Sequence, residues 1–329
     1  MRSHARATAV LAAAFVAALA GCSAISTSGA APTSVPSERP STIAASPATV
    51  IATTIPGTLY YQFDAGDQGS SLKTLRGDAL TQVATAANRF DAAVSPNGQL
   101  VAWGDESMGG IVVSNLDGSG RRKLNASAFM MRWSPDSQKI VYEKSDGPDN
   151  SSVHIINVDG TGSRELAKTG RSPVWSMDGA WIVYLATHYP AAPKLTVVRS
   201  DGTGARTVAV QVGSDRVYQI AAASPDASKV RVGTVCGTCD VGAPGRYSGA
   251  TIVDMTTGRG TPLVADQGRP VSQLWTTDGR TLVRVQTTEG TSSVQETYVL
   301  ELHAADGTVL ARQPEPPAAA RGVLAMYVP

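Results

Sequence analysis

The stretch LWTTDGRTLVRV, Leu274–Val285, decides the fold because the chain writes it more than once. MRWSPDSQKIVY at Met131–Tyr142 and PVWSMDGAWIVY at Pro173–Tyr184 set a Trp, an Asp and an apolar tail in the same register. SPNG at Ser95 and SPDA at Ser224 complete a series of five turn-like stations, about 40 to 50 residues apart. A second station trails each one: LDGSG at Leu116, VDGTG at Val158, SDGTG at Ser200, DMTTG at Asp254 and ADGTV at Ala305. Short β-branched runs such as KIVYEK, VHIINV, WIVYLA and KLTVVRS fill the intervals. Four short strands per unit of this length is the pattern of a β-propeller blade.

The turn chemistry agrees. Asp-Gly between apolar strands predicts type I′ hairpins, and Ser-Pro-Asp presets a turn through the Pro ring and the Asp carboxylate. Trp133, Trp175 and Trp275 end the first strand of their blades and are read as packing between blades. Five full units start near Arg89, Ala128, Arg171, Arg216 and Arg269. GTLYYQF, SLKTLRG and LTQVAT supply three strands before them, and RGVLAMYVP supplies one after them. A raw sheet edge invites association. The expectation is therefore an all-β, six-bladed propeller over residues 57–329, its first blade completed by the C-terminal strand at Val323–Tyr327 as the innermost.

The repeat WSPD, then IVY, then DGTG resembles that of the TolB-like six-bladed propellers, which are WD-repeat-like in pattern. The resemblance covers essentially all of residues 57–329 and implies a propeller of the cell envelope. It departs from TolB at the front, where TolB carries an α/β domain.

Here the chain instead opens with Arg2 and Arg6, an apolar run ATAVLAAAFVAALA at Ala7–Ala20, and LAGC ending at Cys22. This order of positive flank, short apolar run and small residues is that of an export signal. The Cys directly after it resembles the bacterial lipobox, which implies diacylglyceryl attachment at Cys22 and removal of residues 1–21. Two acyl chains suffice for stable anchoring. Residues 22–56 are Ser, Thr, Ala and Pro with hardly a charge, a composition that cannot bury a core and reads as a disordered tether spanning about 30 Å. The sequence thus predicts an extracytoplasmic, membrane-anchored, monomeric propeller.

The 329 residues carry 28 basic and 27 acidic side chains, with 5% aromatics. Neither the balance nor the aromatic content advertises a nucleic-acid partner. No G-x-S-x-G or H-E-x-x-H is present, the four His are scattered, and no metal or cofactor is expected. Cys236 and Cys239, in VCGTCDVG, form a C-x-x-C in a loop between strands. In an exported protein this predicts a small structural disulfide rather than a redox centre.

Strand alternation puts all the stations on one face of the ring. The opposite face receives the variable loops GDESMGG, KSDGPDNSS, ATHYPAAP, VCGTCDVGAPGR and QTTEGTSS, and with them Asp146, Asp149, His188, Tyr189, Asp240, Arg246 and Glu289. Insertions gathered on one face mark it as the binding face. Arg89, Arg171, Arg216, Arg269 and Arg321 each stand just before an inner strand, a placement suited to an anion-binding ring at the channel mouth. The function expected is binding of a protein or polymer of the envelope. The alternatives are a glycan-processing propeller enzyme using His188 with Asp146, and an accessory or sensor subunit of a membrane complex.

Overall fold

The computed structural model describes residues 51–64, 70–86, 93–105, 110–124, 128–147, 150–186, 192, 194–213, 215–235, 247–263, 268–290 and 295–329. They form six four-stranded antiparallel sheets. The second blade is β4 (Ala93–Val94), β5 (Leu100–Asp105), β6 (Gly110–Asn115) and β7 (Arg122–Leu124). The third is β8 (Phe129–Trp133), β9 (Lys139–Gly147), β10 (Asn150–Asn157) and β11 (Arg164–Ala167). The fourth is β12 (Arg171–Trp175), β13 (Trp181–Leu185), β14 (Lys194–Arg199) and β15 (Arg206–Ala209). The fifth is β16 (Arg216–Ala223), β17 (Lys229–Val235), β18 (Tyr247–Asp254) and β19 (Gly260–Pro262). The sixth is β20 (Arg269–Trp275), β21 (Thr281–Thr288), β22 (Thr297–His303) and β23 (Val309–Pro314). The first blade is β1 (Thr58–Asp64), β2 (Ser70–Arg76) and β3 (Ala79–Ala86), with β24 (Val323–Val328) hydrogen-bonded to β1 as its innermost strand. Contacts run from β24 to β4, β8, β12, β16, β20 and back to β24, which closes the ring.

Apolar side chains of adjacent blades meet in the spaces between them. Val174, Val183 and Leu185 of the fourth blade pack on Val217, Val230 and Val232 of the fifth. Trp133 joins Ala102 and Ile140 across the second and third blades, and Trp175 joins Val141 and Ile182 across the third and fourth. These Trp residues pack between blades, as the repeat implied. Further buried clusters join the first blade to the second and the sixth to the first.

Two local expectations are corrected. The second stations are not type I′ turns. Gly118 N–H donates to Asn115 O and Asn115 N–H to Ser119 O. Only the glycine is left-handed, at φ 80° in Gly118 and likewise at Gly160, Gly202 and Gly307. This is the three-residue loop of a type I turn followed by a glycine bulge. Asp117 keeps an ordinary φ because its Oδ1 accepts from both the Ser119 N–H and hydroxyl, which pins the turn. The first stations also differ in length. Ser134 N–H donates to Lys139 O, and Ser95, Ser176 and Ser224 repeat that span, whereas Thr276 N–H reaches Arg280 O, one residue sooner. The tail of LWTTDGRTLVRV is therefore displaced by one position. Leu282, not Val283, stands opposite the residue before the Trp, as Val141 and Val183 do.

The closure of the ring carries a buried polar clasp. Arg284 and Glu315 are 6% and 8% exposed. Arg284 Nε and Nη2 donate to Glu315 at 2.9 and 2.5 Å, and Nη1 donates to Gly322 O at 2.8 Å. Its guanidinium lies 3.8 Å from the Tyr298 ring. Tyr61 of β1 donates its hydroxyl to the same carboxylate at 2.6 Å. The clasp thus fixes the segment that carries the chain from the sixth blade into the first. Residues 51–56, which composition groups with the tether, are docked beside it. Ala52 bridges to Ala311, Ile55 is buried, and the Ile55 N–H donates to Gln313 Oε1 at 2.9 Å. The compact unit runs from Thr49 to Pro329. Among the described residues, no helix is long and apolar enough to cross a membrane.

Candidate functional site

The six inner strands surround a central channel of about 680 Å³. Each contributes side chains to it, from Val94 of β4 to Met326 of β24. Four arginines line it, Arg132, Arg231, Arg269 and Arg284, and no acidic residue does so among the described ones. Arg284 is neutralised by Glu315 in the clasp. Arg269 Nη2 donates to Gln286 Oε1 at 2.6 Å, an uncharged partner on its own blade. Arg132 Nη1 donates to Met131 O at 2.8 Å.

Arg231 is different. Its Nε is buried and has no hydrogen-bond partner. Burial pulls its pKa down to about 10, the Tyr218 phenol opposes that shift, and the positive charge of Arg132 adds to it. The ring of Tyr218 lies over Gly233, where a Cβ would stand 2.5 Å from it, and its hydroxyl accepts from Gln219 Nε2 at 2.9 Å. Trp175 Nε1, also on the channel, is buried without a partner, whereas Trp133 Nε1 donates to Ala93 O at 2.8 Å. In the neighbouring sixth blade, Tyr298 is pushed up to about 12 by burial and by its hydrogen bond to Glu296.

The two faces of the ring differ in what their polar groups do. On the station face the Asp carboxylates are engaged locally. Asp136 Oδ1 accepts from the Ser134 hydroxyl at 2.5 Å and the Gln138 N–H at 3.0 Å, and Asp178, Asp226 and Asp278 repeat the arrangement. On the second stations, hydrogen bonds from Ser119, Thr161 and Thr203 hold Asp117, Asp159 and Asp201 below the usual carboxylate range.

The residues singled out from the sequence fall into two groups. Cys22, Arg89, Asp149, His188, Tyr189, Cys236, Cys239, Asp240 and Arg246 lie outside the described residues, as does the side chain of Asp146 in β9. Of the rest, Arg216 and Arg321 are exposed just before or at the start of β16 and β24. Arg171 is half-buried at the start of β12 with its Nε shielded and without a partner, and Glu289 is exposed after β21. Only Arg269 of the five entrance arginines lines the channel among the described residues. Arg132 and Arg231 were not singled out by the spacing of the stations, although Arg132 sits inside the MRWSPD phrase. No group of three or more His, Cys, Asp or Glu able to hold a metal occurs among the described residues.

No family model matches the chain, and no curated protein matches it. Solved structures do. TolB from Acinetobacter baumannii aligns over 79% of this chain and 67% of its own, at TM-score 0.51 and 16% identity. A putative TolB from Agrobacterium tumefaciens aligns over 83% of this chain and 99% of its own, at TM-score 0.51 and 14% identity. A chain of a nidogen/laminin complex aligns over 81% and 95%, at TM-score 0.51 and 14% identity. At these identities the likeness is one of fold: this chain has the six-bladed propeller architecture that TolB shares.

Proposed function

We propose that this chain is a lipid-anchored, extracytoplasmic propeller that binds a protein or polymer of the cell envelope through its variable loop face. One observation carries the reading. Among the described residues the station face spends its carboxylates on its own turns, while the strand order puts the connections from second to third strand on the opposite face. The place where the chain enters the ring supports it further. Thr58 pairs with Val328, the last residue of β24, and inner strands run from the loop face to the station face. Thr58, where the chain enters β1, therefore lies at the station end of the ring, away from the loop face. Cys22 is the residue we assign to lipidation, and Cys236 with Cys239 to a disulfide that stiffens one of the loops. The neighbouring propellers of TolB and the nidogen/laminin complex agree with a binding module in fold alone.

The test is photo-crosslinking of the full-length lipoprotein in its native envelope. A crosslinking residue at Glu289 or Lys194 is expected to capture a macromolecule, and one at Thr256 or Thr308 is not. Capture confined to the station positions would overturn the assignment of faces. Replacing Cys22 by Ala is expected to release the protein from the membrane fraction. A glycan-turnover assay on His188→Ala tests the competing enzymatic role.

A further inference from the structure

The repeats of this chain supply their own comparison, residue by residue, and one layer of the ring breaks the pattern. In that layer an inner-strand residue faces its partner on the second strand of the same blade. The pairs are Ala93 with Ala102, Arg132 with Val141, Val174 with Val183, Ala222 with Arg231, and Leu274 with Leu282. Ala102, Val141, Val183 and Leu282 are fully buried and each packs in the apolar cluster against the next blade. The fifth blade puts an arginine at this position. It also puts Ala223 where three other blades carry Trp133, Trp175 and Trp275. The run Ala221–Ala223 leaves the space beside the axis that an indole fills elsewhere, and Arg231 lines the channel there.

Arg132 breaks the same layer from the third blade. Two guanidinium groups thus share one height of the channel, and the charge of Arg132 adds to the electrostatic cost of Arg231, on walls that hold no carboxylate among the described residues. Between them the fourth blade offers Trp175, whose buried Nε1 has no partner, as Arg231 Nε has none. A buried donor without an acceptor is costly. An oxyanion can accept from both orphaned donors at once, and guanidinium groups match carboxylate and phosphate oxygens in a planar fork.

We propose that the channel of this propeller is a binding site for a small oxyanion group, a carboxylate or a phosphate, held by Arg231 and Arg132 with Trp175 as a neutral donor. The site lies toward the station end of the channel, one layer inside the Trp residues. It is separate from the loop face, so a failure of loop crosslinking leaves it untouched.

The experiment titrates the purified mature protein with citrate and, separately, with inorganic phosphate, against chloride at matched ionic strength. Thermal midpoint and calorimetric affinity are the readouts. One or both anions are expected to raise the midpoint and bind with one-to-one stoichiometry. Citrate alone would assign a carboxylate ligand, and phosphate alone a phosphate ligand. Arg231→Val restores the residue type of the other blades, so it is expected to fold at least as stably as the wild type in chloride. It is expected to lose affinity about tenfold to a hundredfold, the worth of one or two charged hydrogen bonds. Arg231→Gln, which keeps a polar side chain without the charge, is expected to lose the response as well. The proposal is overturned if neither anion binds the wild type, or if both variants respond as it does.

Discussion

Ala227 and Ser137 occupy left-handed backbone, at φ 54° and 62°, where three sister stations carry Gly98, Gly179 and Gly279. A Cβ in that region costs about 1–2 kcal/mol. Ala227→Gly is therefore expected to stabilise the protein by about 1 kcal/mol, read as a higher denaturant midpoint at unchanged slope. A lower midpoint would mean that the buried methyl of Ala227 outweighs its strain. Ser137→Gly gains less, because the Ser137 hydroxyl accepts the Asn97 N–H of the neighbouring blade at 3.1 Å. Single residues also mark the limit of what the sequence discloses. The Trp and Asp positions are legible because the Trp recurs in three of the five full units and the Asp in four, and recurrence separates scaffold from signal. Arg231 occurs once, inside a strand, and becomes conspicuous only when pairing shows which residues of the other blades it replaces. Glu315 gives no sign at all, since its partners Arg284 and Tyr61 come from distant parts of the chain.

At the scale of the strand and its turn, the carboxyls of the second stations are shifted in the same direction. Hydrogen bonds from Ser119 hold Asp117 below the usual carboxylate range. Hydrogen bonds from Thr161, Thr203 and Thr308 do the same for Asp159, Asp201 and Asp306, as do the Thr257 and Thr256 amides and the Thr257 hydroxyl for Asp254. A carboxyl whose folded pKa is depressed contributes stability that is fully present above its unfolded pKa and lost as pH falls through the folded one. Stability is therefore expected to be flat from neutral pH down to about 4, the unfolded Asp range, and to fall steeply below it. Replacing Asp159, Asp201 and Asp306 by Asn together should shallow that fall, measured by urea unfolding at pH 3 and pH 6. A fall of unchanged steepness would place the acid-sensitive carboxyls elsewhere. The hairpins themselves were legible as strand, turn and strand. Their turn type was not, because Asp-Gly serves a type I′ loop and a glycine-bulged type I loop equally well, and the Thr or Ser two residues after the Asp decides between them here by pinning the carboxylate. The one-residue shortening at Thr276 was hidden for a similar reason: LVRV keeps an apolar residue at each of the two competing registers.

The whole molecule depends on a joint between its ends. Arg284→Met would strand the Glu315 carboxylate in the interior beside Tyr61, and is expected to cost about 3–5 kcal/mol. Replacing Arg284 and Glu315 together by Met and Leu should recover most of that loss, because removing both partners of a buried pair is often close to neutral. Equal losses in the single and double variants would mean that the clasp acts through packing rather than charge. The six-bladed count and the role of Val323–Val328 were legible from strand arithmetic. The contents of the channel were not, since which side chains reach the axis follows from bulges in β8, β12, β16 and β20 that no local pattern announces.

Residues 51–56 give the molecule a mechanical property. Before the chain reaches β1 it is cleated to the sixth blade by the Ala52 bridge and the Ile55 N–H on Gln313 Oε1, and to β24 of the first blade by the Tyr327 hydroxyl on Pro56 O at 2.9 Å. Tension reaching the chain from an anchor at Cys22 is taken up at that cleat first. The β1–β24 seam, on which the ring depends, bears load only after the cleat has let go.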